Sequence, residues 1–229
     1  MYARLLAIVC LLSSNALFGG SVALSAPKAT VAVYLKADKS ESLPFLRQEL
    51  TELMAPAGIQ LQWPNPNSRI QADRVISVEL RGTCKPTESS GKFKTGTSLA
   101  STAVQDGRVL PFSWVDCGAV DRFLGKSLKN VSNKQEVYGK ALARLLAHEF
   151  FHVLAETEEH TPGGVSKTAF TVADLLAERI AFHEDALALL RADLPDTVLA
   201  ASLAQPVETE LLGSDEAAAS IYDDALVAR

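Results

Sequence analysis

Apolar residues follow two different rhythms along this chain, and the change comes near residue 117. Before it the runs are short and mostly alternate. "TVAVYLKA" (30–37) is rich in β-branched residues and predicts a strand. "ESLPFLRQELTELMAPAG" (41–58) sets Phe45, Leu46, Leu50, Leu53 and Met54 at helical spacing, and Pro56 and Gly58 end the pattern. "IQLQW" (59–63) alternates like a half-buried strand. "RVISVELRG" (74–82) puts Val75, Ser77 and Glu79 on one face and Ile76, Val78 and Leu80 on the other. A polar loop follows at 83–96. "TSLASTAV" and "RVLPFSWVD" then flank "QDG" (105–107), which predicts a hairpin or a wide turn.

After Cys117 the period becomes that of a helix. "CGAVDRFLG" predicts a short one. Residues 133–156 predict a long one, with Leu142, Leu145, Leu146 and Val153 on adjoining faces. A Gly-containing loop (161–167) comes next. A second helix is expected to start after Thr171, capped by its hydroxyl with Asp174 three residues on, and to run over 172–192. The order β-α-β-β-(β-β) followed by helices predicts an α/β (α+β) fold with a mixed, partly antiparallel sheet.

Composition narrows the setting. A chain of 229 residues, 48% hydrophobic and 21% charged, suggests one globular domain. A net charge of -5 gives no reason to expect a nucleic-acid partner. The acid is concentrated at the end: Glu184–Arg229 carries ten acidic and two basic residues, read as a solvated surface.

The first 26 residues read as a signal peptide. "MYAR" starts positive, "LLAIVCLL" is the apolar stretch, and small residues follow in "GGSVALSA". Ser13, Ser14 and Asn15 interrupt the run, so it makes a poor membrane span. The expected division is a signal peptide over 1–26, a single domain over 27–192 and an acidic Ala-rich tail over 193–229. The mature protein is then secreted or held in the periplasm or cell envelope, without stable membrane insertion, and is read as a monomer. Export also suits the cysteines. Cys10 leaves with the signal peptide, and Cys84 and Cys117 most simply pair.

Three of the four histidines fall within "AHEFFHVLAETEEH" (147–160). His148, Glu149 and His152 form H-E-x-x-H inside the long helix. Positions i and i+4 stack on one face, so both imidazoles can reach one metal ion at about 2.0–2.1 Å. Glu149 can lean over the same point and take a proton from a zinc-bound water. A third ligand is needed, and His160 is the first choice. Eight residues past His152, it would lie about 12 Å along a continued helix, so the chain must leave the helix near Glu156 to Glu158 and fold back. Glu178, in "ADLLAERIAF", is the alternative third ligand, with Glu156, Glu158 and Glu159 as weaker ones. His183 is read as structural or exposed. Asn130-Val131-Ser132 fits a glycosylation acceptor pattern.

At residues 138–180 the sequence resembles the zincin metallopeptidases, most of all the metzincin type, and is similar to exported bacterial H-E-x-x-H proteins. The resemblance implies Zn2+ on His148, His152 and His160, Glu149 as general base, and hydrolysis of peptide or protein substrates. The chain departs from the metzincin pattern in three ways. Its third histidine comes twelve residues after the first rather than ten, Ala155 stands where a glycine is usual, and only Met1 and Met54 exist to form a methionine turn. The competing expectation is a non-catalytic envelope or binding protein in which zinc merely ties helix to loop.

Overall fold

The computed structural model describes residues 28–192, except 66, 67, 69, 88–91, 95 and 130. The expected signal peptide, the acidic tail and Asn130 lie outside the described residues. Among those described, no helix is long and apolar enough to cross a membrane.

The alternating runs form five strands: β1 (Ala29–Lys36), β2 (Ile59–Gln62), β3 (Arg74–Arg81), β4 (Ala100–Gln105) and β5 (Arg108–Asp116). They make one sheet in the order β2-β1-β3-β5-β4. The first four positions run parallel, and β4 returns antiparallel on β5. The fold is mixed α/β, as the element order predicts. Asp106 and Gly107 make the hairpin turn, both at positive φ (52° and 69°). That is the twist-matched geometry that favours an Asp-Gly pair in a two-residue turn.

Period two decides which sheet face is covered. Ile76, Val78 and Leu80 are buried, as are Val31, Val33 and Val115. They share one core with Leu46, Leu50, Leu53 and Met54 of α1 (Leu43–Met54) and with the long helix α3 (Lys134–Leu154). Asp116 caps the short helix α2 (Cys117–Leu124) by accepting from the Ala119 N–H at 2.8 Å. Cys84 and Cys117 are bonded, with Cα atoms 4.9 Å apart. The bridge ties the end of β3 to the start of α2 and so closes the loop that leads into β4.

The helix after Thr171 does not run to 192. It stops as α4 (Val172–Leu176), and a separate α5 (Glu184–Ala192) begins after seven irregular residues. The start matches the expected capping box, with both reciprocal Thr171–Asp174 bonds present. The stop is imposed from outside. Arg144, on α3 and only 1% exposed, donates through Nη1 to the carbonyls of Leu175 (2.9 Å) and Ala177 (2.7 Å). Its Nε donates to Glu49 of α1 at 2.9 Å. A buried guanidinium thus satisfies the carbonyls that another helical turn would have used.

Candidate metal centre

His148, Glu149 and His152 lie on α3 where it crosses under β4 and β5, and all three are buried. Their helix ends at once. Glu156 takes a left-handed conformation (φ 46°), and the N–H of Thr157 donates to the His152 carbonyl at 3.2 Å. This is the Schellman closure of a helix, with glutamate at the position glycine usually fills. It reverses the chain, and His160 comes back over the helix. Its ring centroid lies 5.1 Å from that of His148 and 4.8 Å from that of His152.

The ring tautomers follow from the neighbours. His148 Nδ1 is 2.9 Å from the Val165 carbonyl, and His152 Nδ1 is 2.8 Å from the Thr157 carbonyl. A carbonyl only accepts, so each Nδ1 carries the proton and donates. Both Nε2 atoms are then left as acceptors, and they face each other at 3.1 Å. Neither ring readily takes a proton to relieve this. Burial pushes His148 down to about 4, with the His152 and His160 rings adding to it against the Val165 bond. Burial likewise lowers His152. Two converging lone pairs at such a distance are costly with nothing between them and favourable around a cation. One ligand atom from each of His148, His152 and His160 lies within 4.8 Å of the others, and no further such group occurs among the described residues. Three imidazoles with an open side match the donor set of a catalytic zinc site.

Glu178 lies elsewhere. It is exposed in the irregular segment after α4 and takes no part in the histidine group. Glu158 lines the same cavity as His160 but is exposed. His183 is exposed and packs its ring on the loop that supports His148. A Cβ on Gly163 would fall 2.5 Å from its Cε1, and one on Gly164 (φ 67°) would fall 2.4 Å from the Ala181 carbonyl. That carbonyl accepts from the Val165 N–H at 3.0 Å. The two glycines therefore let the 181–183 segment hold Val165 against His148.

Glu149 sits beside the histidines in a cavity of ≈ 260 Å³ walled by β4. Burial raises its carboxyl to about 7, against the opposing pull of a hydrogen bond from Thr102. A second cavity of ≈ 400 Å³ shares His148 and Glu149 and is lined by Phe93, Leu99, Phe123, Leu145 and Phe170. Phe93 and Phe123 meet edge to face at 4.9 Å. The sequence singles out none of these partners. Thr102 sits in an ordinary strand pattern, and Val165 and Thr157 act through carbonyls that every residue has.

No family model matches the sequence, and no curated protein matches it. Among solved structures the chain is similar to archaemetzincin from Methanopyrus kandleri. The TM-score is 0.45 and the identity 12%, over 72% of this chain and 94% of that one.

Proposed function

We propose that this protein is an exported zinc-dependent peptidase in which His148, His152 and His160 hold the metal and Glu149 is the general base. The observation that carries the reading is the pair of buried Nε2 lone pairs meeting at 3.1 Å beside a buried carboxyl. Zinc bound there would supply Lewis-acid polarisation of the scissile carbonyl and a water acidified from 15.7 to about 7. The protein's own part is positional and acid–base. The Val165 and Thr157 carbonyls keep the two rings in the tautomer that presents Nε2. Glu149, raised to about 7, is suited both to take a proton from the attacking water and to return it to the leaving amine.

A peptide substrate suits the surroundings. β4 is the sheet's edge strand and lines the cavity through Ala100, Ser101, Thr102 and Val104, so an extended chain has an edge to pair with. The adjoining apolar cavity suits a bulky apolar side chain next to the cleaved bond. Export is supported by the N-terminal pattern and fits the Cys84–Cys117 bond.

The test is elemental analysis of the purified mature protein, followed by turnover of a peptide library by the wild type and by Glu149→Gln. About one zinc per chain, retained in the variant, with turnover lost on the order of 100-fold or more supports the peptidase. Zinc retained in both with no turnover in either assigns the metal to tying helix and loop together. A wild type that binds no metal removes both readings.

A further inference from the structure

We infer that Thr102 is a positioning residue for Glu149, and that Ser113 completes it as the inner end of a two-hydroxyl relay. The inference rests on the reading of Glu149 as the proton acceptor.

Thr102 and Ser113 are direct partners across the β4–β5 ladder. Such cross-strand pairs sit close enough for their side chains to touch. Thr102 Oγ1 lies 3.0 Å from Ser113 Oγ and 2.7 Å from Glu149 Oε2. The Glu149 backbone carbonyl is further off, at 3.2 Å. Ser113 is wholly buried, and Thr102 is its hydroxyl's hydrogen-bond partner.

A hydroxyl has one proton to give. An ionised carboxylate only accepts, so Thr102 must donate to it, and the nearer, charged acceptor takes the bond. The Thr102 oxygen can then only accept, and it accepts from Ser113. The direction of the chain is therefore set: Ser113 to Thr102 to Glu149 Oε2. Bonds in such a chain polarise and strengthen one another.

The tether does something that packing cannot. The last torsion of a glutamate is broad and nearly two-fold, so burial alone leaves the carboxylate free to rock. The Thr102 bond fixes its plane and occupies Oε2. Oε1 has no protein partner among the described residues, so it is the oxygen left to receive the water's proton. The strand is built to match. Its register with β5 shifts between Thr102 and Val104, so the Thr102–Ser113 pair is the last of the first register, and pairing resumes in a shifted register at Val104–Val109.

The experiment uses the zinc-loaded mature protein with Thr102→Val, Thr102→Ser and Ser113→Ala. Thr102→Val should lower kcat on the order of 10- to 100-fold with KM and zinc content nearly unchanged, since misplacing a reacting group by about 1 Å can cost 10²-fold. Thr102→Ser should restore most of the loss, and Ser113→Ala should fall between. A second arm needs no metal and no turnover. In the metal-free protein at alkaline pH, the carboxylate stretch of isotope-labelled Glu149, identified by its absence in Glu149→Gln, should shift in Thr102→Val and return in Thr102→Ser. An unmoved band, or a kcat loss that serine fails to restore, overturns the inference. If the wild type hydrolyses no peptide, the peptidase reading fails by itself, and the infrared arm alone decides whether Thr102 aims Glu149.

Discussion

Thr157 grips His152 twice through its backbone. Its N–H donates to the His152 carbonyl at 3.2 Å, and its own carbonyl accepts from the His152 ring at 2.8 Å. The turn that ends α3 is therefore also the turn that orients one of the two buried imidazoles. Helix termination and ring orientation are one event here, and both depend on Glu156 adopting a left-handed conformation between the two residues.

That dependence makes Glu156 a sensitive position. Glycine adopts φ 46° without the roughly 1–2 kcal/mol that a side chain costs there, but loses more chain entropy and the exposed Arg74 ion pair at 2.9 Å. Glu156→Gly should leave stability within about 1 kcal/mol and zinc affinity unchanged. Proline holds φ near −65°, so Glu156→Pro cannot make the turn. It should weaken zinc binding about 10- to 100-fold, the usual cost of losing an outer partner of a metal-binding histidine. Competition with a chromophoric chelator measures both, and equal affinities would show that the turn does not orient His152.

His160 reaches the cluster from a loop, and its replacement separates the two possible third ligands. His160→Ala should lose zinc affinity by more than the roughly 100-fold that outer-shell losses reach, because it removes a ligand outright. Glu178→Ala should leave affinity as it was, since Glu178 is exposed and outside the histidine group. The opposite pattern in the same titration would move the third ligand to Glu178.

How much of this could be read from the sequence depended on whether the determining contact was local. The H-E-x-x-H spacing puts two rings on one helical face by geometry alone, and alternation in 74–82 picked out the buried Ile76, Val78 and Leu80. The Asp-Gly turn and the Thr171 cap are likewise local chemistry. The break after Leu176 is not. The apolar spacing of 172–192 permits a continuous helix, and what ends it is a guanidinium from α3, about 30 residues earlier. Thr102 was hidden for the same reason: its partner Glu149 is 47 residues away, and nothing in "ASTAV" marks one threonine as facing a carboxylate.

Arg144 gives that long-range contact a measurable cost. Replacing it with methionine leaves Glu49 and the carbonyls of Leu175 and Ala177 without their buried cation. Losing one partner of a buried pair costs about 3–5 kcal/mol. For a domain of this size that corresponds to a fall in Tm of roughly 10 °C. Adding Glu49→Leu should recover part of it by removing the stranded carboxylate. Calorimetry of the single and double variants checks this. An Arg144→Met protein that melts with the wild type would mean that the guanidinium contributes nothing to holding α4.

The cap of α4 sets a pH dependence whose sign can be worked out. The Lys167 ammonium and then the Thr171 bonds hold the Asp174 carboxyl down to about 2, below its ordinary 3.8. A carboxyl that is more acidic when folded stabilises the fold in its ionised form. The contribution is therefore complete above pH 3.8 and is lost as pH falls through about 2. Asp174→Asn keeps an oxygen that can accept the Thr171 bonds but removes the charge, so it isolates this effect. At pH 7 the variant should be less stable by about 1 kcal/mol, the usual scale for a charge in the first turn of a helix combined with a partly exposed ion pair. Urea midpoints taken from pH 7 downward should show the gap narrowing below pH 4 and closing near pH 2. High salt at pH 7 should narrow it too, because the Lys167 part is screened. A gap that stays constant across the whole pH range would mean that Asp174 stabilises the helix start only through its hydrogen bonds.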